Sequence, residues 1–375
     1  MLRALARVNL AAVQRNVGVL RGHLGPDTEL CAVVKAEASG LGAVPVARTV
    51  LTAGASRLAV ATAGEAAQLR EAGIDAPILV MGAIGAPELV VALNAGAEIV
   101  AWNPRFVDAV AARAGAAAPV AVHVKFDSGM GRLGTRVTDE AFAVAEHVVD
   151  AGDALHLTGV MTHLATADCD PEFVTAQLEA FTPFADQLQE RVGRLCVHAA
   201  NSAATIAHPE SHFDMVRCGI ALHGCDPMNV DPDDAGLEPA LELTSYVAAV
   251  KPVAPGESVG YARRFIADRD TWIATLPIGY ADGVRRALTN NCDVLIDGRR
   301  YPLVGTVSMD NITVDLGPDP GVGVGAGAVL IGRSGEERQT VEDLANRIGS
   351  IHHEILCGIS GRVPREYHYD GEVRL

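Results

Sequence analysis

Lysine is nearly missing from this 375-residue sequence, whose 30 basic residues include only three lysines, Lys35, Lys125 and Lys251. Bulk positive charge is therefore arginine's task, and each lysine asks for its own explanation. Basic charge as a whole is also short: 46 acidic residues leave a formal net charge of −16. That field repels a nucleic-acid backbone or an anionic lipid surface and leaves a small molecule as the expected partner. The seven cysteines, from Cys31 to Cys357, contain no C-x-x-C pair. An odd, scattered set excludes a disulfide framework or a zinc cluster and reads as reduced thiols in a cytoplasm, with no metal expected. No apolar run is long enough to cross a bilayer. At the N-terminus Arg15 and Asn16 interrupt any signal-peptide core.

Hydrophobic residues make up 49% of the chain and charged residues 20%, a globular balance with room for two domains or one large barrel with an appendage. From residue 29 to about 224, short apolar runs alternate with Ala-rich segments of helical period. The runs are ELCAVVKA, SRLAVA, APILVMG, AEIVAW, PVAVHVKFD, LTGVMTH, LCVHAA and MVRCGIAL. Most of the segments between them close on glycine, as helix C-termini do. Eight such units predict an α/β fold with an N-terminal (β/α)8 TIM-type barrel, an open doubly wound sheet being the alternative. After Leu237 the helical period nearly vanishes and β-type runs with Gly, Pro and Asp punctuation take over. The acidic, turn-rich VDPDDAG segment suits a boundary, giving a barrel over 1–236 and a mostly-β domain over 237–375.

In a barrel of this kind chemistry sits at the C-terminal ends of the strands. Lys35, Lys125, His163, Asn201 and Arg217 each fall at or just beyond the end of an apolar run. Lys35 ends CAVVKA and is followed by small residues and glycines. A lysine held among apolar side chains loses its proton more readily, and the neutral amine can form a Schiff base with a carbonyl cofactor.

At this point the sequence resembles the alanine racemase family of pyridoxal-phosphate enzymes. The segments that carry the resemblance, in order, are AVVKAEASGLG, HVKFDSGMGRLG, GVMTHLATAD, HAANSAAT, MVRCGIALHG, VGYARRF, PIGYADGVRR, VGTVSMDNITVDLG and ISGRVPRE, spanning nearly the whole chain. The resemblance implies a barrel followed by a β domain, a head-to-tail homodimer with shared active sites, and an amino-acid substrate.

It also implies roles residue by residue. Lys35 would carry pyridoxal 5'-phosphate and exchange the Cα proton on one face, with Tyr261 from the partner subunit as the base on the other. Two bases are needed because racemisation removes a proton from one face and returns one to the opposite face. Arg217 would face the pyridine nitrogen, where an arginine cannot take up a proton and leaves the ring a weaker electron sink. Ser202 and the amides of Gly219 and Ile220 would bind the phosphate, and His163 would pack on the ring, with Asn201 and His198 close behind. Arg132 and the partner's Met309 would take the substrate carboxylate, Tyr280 would line the approach, and Lys125 would steady Arg132 as a carbamate.

The chain departs from the family's pattern beside the phosphate and the entrance. Ser39 and Gly361 stand where tyrosines are usual, Glu37 where asparagine is and Leu41 where histidine is, while His223 and Ser308 are milder changes. Losing two aromatic hydroxyls opens volume. A paralogue acting on a larger or polar amino acid, a pyridoxal-phosphate aldolase or decarboxylase, and a non-catalytic carrier therefore stand beside alanine racemisation. The cofactor assignment predicts that Lys35→Ala abolishes the absorbance band of lysine-bound cofactor near the visible edge. An unchanged spectrum would refute it.

Overall fold

A computed structural model describes residues 2–115, 118–319 and 321–373 of the chain. Two compact units emerge, one of residues 14–38 and 43–222, the other of residues 1–13, 39–42 and 223–375.

The eight apolar runs become the strands of a parallel barrel. After a first strand β1 (Leu5–Asn9), these are β2 (Glu29–Val33), β3 (Arg57–Val60), β4 (Ile78–Val80), β5 (Glu98–Ala101), β6 (Val120–Lys125), β7 (Leu155–Met161), β8 (Cys196–His198) and β9 (Met215–Cys218). Ladders run in register from β8 back to β2 and on to β9. The remaining seam is held by single backbone bonds, Asp214 N to Val197 O and Arg217 N to Ala200 O, each 3.0 Å. Helices occupy the Ala-rich intervals, several of them started by side-chain caps such as Asn103 on Phe106 N and Asp170 on Phe173 N. Inside, Cys31, Ala59, Leu79, Val100, Met161 and Met215 form a buried cluster with one residue from each of six strands.

The second unit is mostly β, as its punctuation predicts. Its main sheet includes Leu241–Tyr246, Gly327–Ser334 and Arg365–Tyr369. Strand β1 lies between the first and last of these, antiparallel to one and parallel to the other, so the first residues of the chain build the β unit. The one helix legible in this region, Val341–Arg347, starts at Thr340 with a reciprocal capping box to Asp343. A second helix, His352–Cys357, carries no comparable signal. Among the described residues no helix is long and apolar enough to cross a membrane.

One local feature places the lysine segment. Directly after Lys35 the backbone turns left-handed for four residues without glycine, with φ of 51° at Ala36, 55° at Glu37, 51° at Ala38 and 56° at Ser39. Such residues cost roughly 1–2 kcal/mol each, so the surroundings must hold the turn. Glu65 Oε1 accepts from Ala36 N at 2.6 Å while its Oε2 accepts from Ala61 N and Thr62 N. Glu37 accepts from Ala43 N at 3.0 Å and from Gln68 Nε2 at 2.7 Å. Glu65 thus caps the helix Ala63–Glu71 and clamps the turn at once. Glu65→Ala should lower stability by about 2 kcal/mol, the scale of a lost cap plus a charged hydrogen bond. The shift of the denaturant midpoint measures it, and no shift would refute the clamp.

Candidate active site

The polar residues at the strand ends gather in the barrel unit. Arg217, 3% exposed on β9, places its guanidinium in a closed set of acceptors. Nη1 reaches His198 Nδ1 at 2.9 Å, and Nη2 reaches Thr162 O and Ala199 O at 2.9 Å and His163 Nδ1 at 3.2 Å. Burial lowers its pKa to about 10. Burial also holds His198 well below the ordinary histidine value, aided by the charge of Arg217. His163 is depressed in the same way, first by burial and then by the positive charges of Arg217, Lys125, Arg132 and Lys35.

The expected apolar enclosure belongs to Lys125 and not to Lys35. Lys35 is exposed in this chain, two residues past the end of β2 and directly before the left-handed turn. Lys125 is buried at the end of β6, and burial followed by repulsion from Arg217 and Arg132 brings its pKa from 10.5 down to about 7. The nearest carboxylate is already engaged: Asp127 accepts from Gly131 N at 2.9 Å, Gly129 N at 3.1 Å and Arg136 Nε at 3.1 Å. Burial alone would raise the Asp127 pKa, but these bonds overcome it and lower it. They also fold the DSGMGR loop that carries exposed Arg132.

Ser202 and Gly219 come together, Gly219 N donating to Ser202 Oγ at 2.9 Å, and Ile220 opens the adjoining turn Ile220–His223. Asn201 caps the short helix Ser202–Ala207 by accepting from Ala204 N. Fully buried Gln177 joins two strand-end loops, accepting from Ala165 N at 2.8 Å and donating to Ser128 Oγ at 3.3 Å and His163 O at 3.2 Å. Glu37 has both carboxylate oxygens engaged, one by Ala43 N and the other by Gln68 Nε2 of the helix Ala63–Glu71.

Tyr261, Tyr280 and Met309 belong to the other unit, where they are 73%, 43% and 51% exposed. Tyr261 follows Gly260 in the link between the short strands Ser258–Val259 and Phe265–Ile266, and its carbonyl accepts from Thr306 Oγ1 at 2.7 Å. Tyr280 N bonds Ser308 O and Ala281 N bonds Met309 O. A β-carbon on Gly279 would lie 2.3 Å from Ser308 O, so only glycine permits this approach. At Gly361 a β-carbon would meet nothing within 4 Å.

Sequence reasoning passed over His123, Thr162 and Ala199. His123 had a usable signal, standing two residues before Lys125 on one strand and therefore on the same face of it.

The N-terminal domain model of alanine racemase matches residues 8–227 and the C-terminal domain model matches residues 240–367. An alanine racemase of Mycobacterium tuberculosis is 42% identical across 98% of this chain and 96% of its own. One from Nostoc is 39% identical across 97% and 95%. Among solved structures, an alanine racemase from Bacillus anthracis with bound L-Ala-P superposes with a TM-score of 0.93 at 37% identity, covering 100% of this chain and 97% of that one. The enzyme from a D-cycloserine-producing Streptomyces lavendulae gives 0.93 at 36%, covering 98% and 97%.

The position of Lys125 sets a pH dependence. Between about 7 and 10.5 the unfolded chain holds this proton and the folded chain does not, so stability rises with pH across that window. In carbon-dioxide-free buffer, urea midpoints should climb from about pH 7 to about pH 9, and Lys125→Met should remove most of that climb. Equal slopes in both proteins would contradict the assignment.

Proposed function

The chain belongs to the alanine racemase family and is an isomerase interconverting L- and D-alanine; from that premise we propose which residues carry the reaction. The family uses pyridoxal phosphate, and the residues of this chain fit such a group. The observation that carries the reading is buried Arg217, bonded to His198 and His163 at the strand ends where Lys125 and the Ser202–Gly219 contact also stand. A buried guanidinium beside a hydroxyl and backbone amides suits an anionic cofactor.

When bound, the cofactor supplies an electron sink for the pair left at Cα once its proton departs. Lys35 would hold the cofactor through its amine, and its Nζ would take or return a proton on one face of the substrate. Tyr261 of a second copy does the same at Oη on the other face, so the working form is a homodimer. Arg217, able only to donate, would face the ring nitrogen and keep it unprotonated. His163 packs against the ring. Ser202, Gly219 and Ile220 bind the phosphate through a hydroxyl and two amides. Arg132 and the Met309 amide of the second copy orient the carboxylate, and Tyr280 lines the approach. Lys125, carbamylated, becomes an anion and converts repulsion from Arg132 into attraction.

Exposure supports the shared site: a tyrosine acting as a base needs cationic or hydrogen-bonding neighbours that favour its anion, and Tyr261 in one chain is 73% exposed. Lys35→Ala and Tyr261→Phe chains should each be inactive alone, while their mixture regains alanine racemisation through hybrid dimers holding one intact site. Chiral chromatography of alanine reads the result, and no recovery would refute the shared site.

A further inference from the structure

Behind Arg217 a polar line crosses the barrel interior, where apolar side chains ordinarily fill the layers. Arg217 Nη1 lies 2.9 Å from His198 Nδ1, and His198 Nε2 lies 2.8 Å from His123 Nδ1. Buried His123 Nε2 makes no hydrogen bond in this geometry and lies 3.4 Å from Glu98 Oε2, a near approach of the two groups. Glu98 is in turn ion-paired with Arg57. Both histidines are completely buried.

The hydrogen positions along this line follow from its ends. A guanidinium only donates, so His198 Nδ1 is an acceptor. A neutral imidazole carries one proton, which for His198 then sits on Nε2 and points at His123 Nδ1. The proton of His123 is left on Nε2, facing a carboxylate that only accepts. Burial lowers the pKa of both rings and keeps them neutral, while Arg57 helps hold Glu98 ionised.

A second observation shows that the line is built. A β-carbon on Gly159 of β7 would lie 2.2 Å from His123 Nδ1 and 2.5 Å from its Cε1. The ring occupies space that only glycine leaves.

We propose that Glu98 is a positioning residue for the racemisation: it fixes the proton order of His123 and His198 and so keeps the His198 Nδ1 lone pair on Arg217. The inference rests on the reading that Arg217 faces the cofactor ring. With the order reversed, His198 would present an N–H to a guanidinium N–H, and Arg217 would shift away from the ring nitrogen.

Ring nitrogens report the order directly. In the full-length chain loaded with pyridoxal phosphate, 15N spectra of labelled histidine, assigned by single histidine substitutions, should show His123 and His198 neutral and protonated on Nε2. Glu98→Gln, whose amide can donate as well as accept, should mix the two orders and lower kcat for alanine about fivefold with KM nearly unchanged. Glu98→Asp should restore both signals and rate. Gly159→Ala, which removes no charge, should displace the same ring signals. If Glu98→Gln does not fold because Arg57 is left unpaired, the Glu98→Gln/Arg57→Met pair carries the same test. A wild-type ring protonated on Nδ1 or on both nitrogens would overturn the proposal. So would wild-type signals and kcat in Glu98→Gln, or displaced signals with an unchanged kcat. Absence of racemisation by the wild-type chain would refute the residue roles proposed above, while the ring spectra still decide the proton order.

Discussion

The site depends on keeping one guanidinium charged inside a barrel. Arg217 is buried on β9, and every acceptor it finds is neutral: two backbone carbonyls and two imidazole nitrogens. Removing such a charge from water costs several kcal/mol unless partners replace the hydration. Its acceptors come from the ends of β7 and β8, so strand register, the weakly bonded seam between β8 and β9 and the orientation of the charge are one problem. Repulsion from Arg217 and Arg132 adds to burial in lowering the pKa of Lys125 to about 7. A pocket arranged in this way lacks an anion, and a phosphorylated cofactor supplies one.

The two units divide the labour. The barrel unit provides the buried cations, the Ser202–Gly219 contact and the strained turn after Lys35. The β unit displays Tyr261, Tyr280 and Met309 to solvent. The proposed delivery by a second copy gives these exposed residues a substrate to act on.

Much of this was legible in the sequence because parallel strands buried on both faces read as short apolar runs, and a polar residue ending such a run stands out. Lys35, Lys125 and Arg217 were found that way. Depth was not legible: which lysine is enclosed depends on a left-handed turn written in Ala-Glu-Ala-Ser without a glycine and clamped by Glu65 from another helix. Strand β1 escaped because its five residues run straight into a helix and their partners lie beyond residue 240. Glu98 and His123 meet only across neighbouring strands. The family segments located the site and contain Arg217, His198 and His123, but Glu98 at the far end of the polar line lies outside them.

The central claim is that the barrel interior holds cationic charge that an anionic cofactor must complete. Measuring the unfolding midpoint of Lys35→Ala with added ligand tests it most directly, since no covalent attachment can then contribute. Ligand binding to the folded chain raises the midpoint in proportion to affinity. Pyridoxal phosphate should raise it clearly and unphosphorylated pyridoxal should scarcely move it, with the phosphate effect weakened in Arg217→Met on the same background. Equal shifts from the two ligands, or no shift from either, would contradict the account.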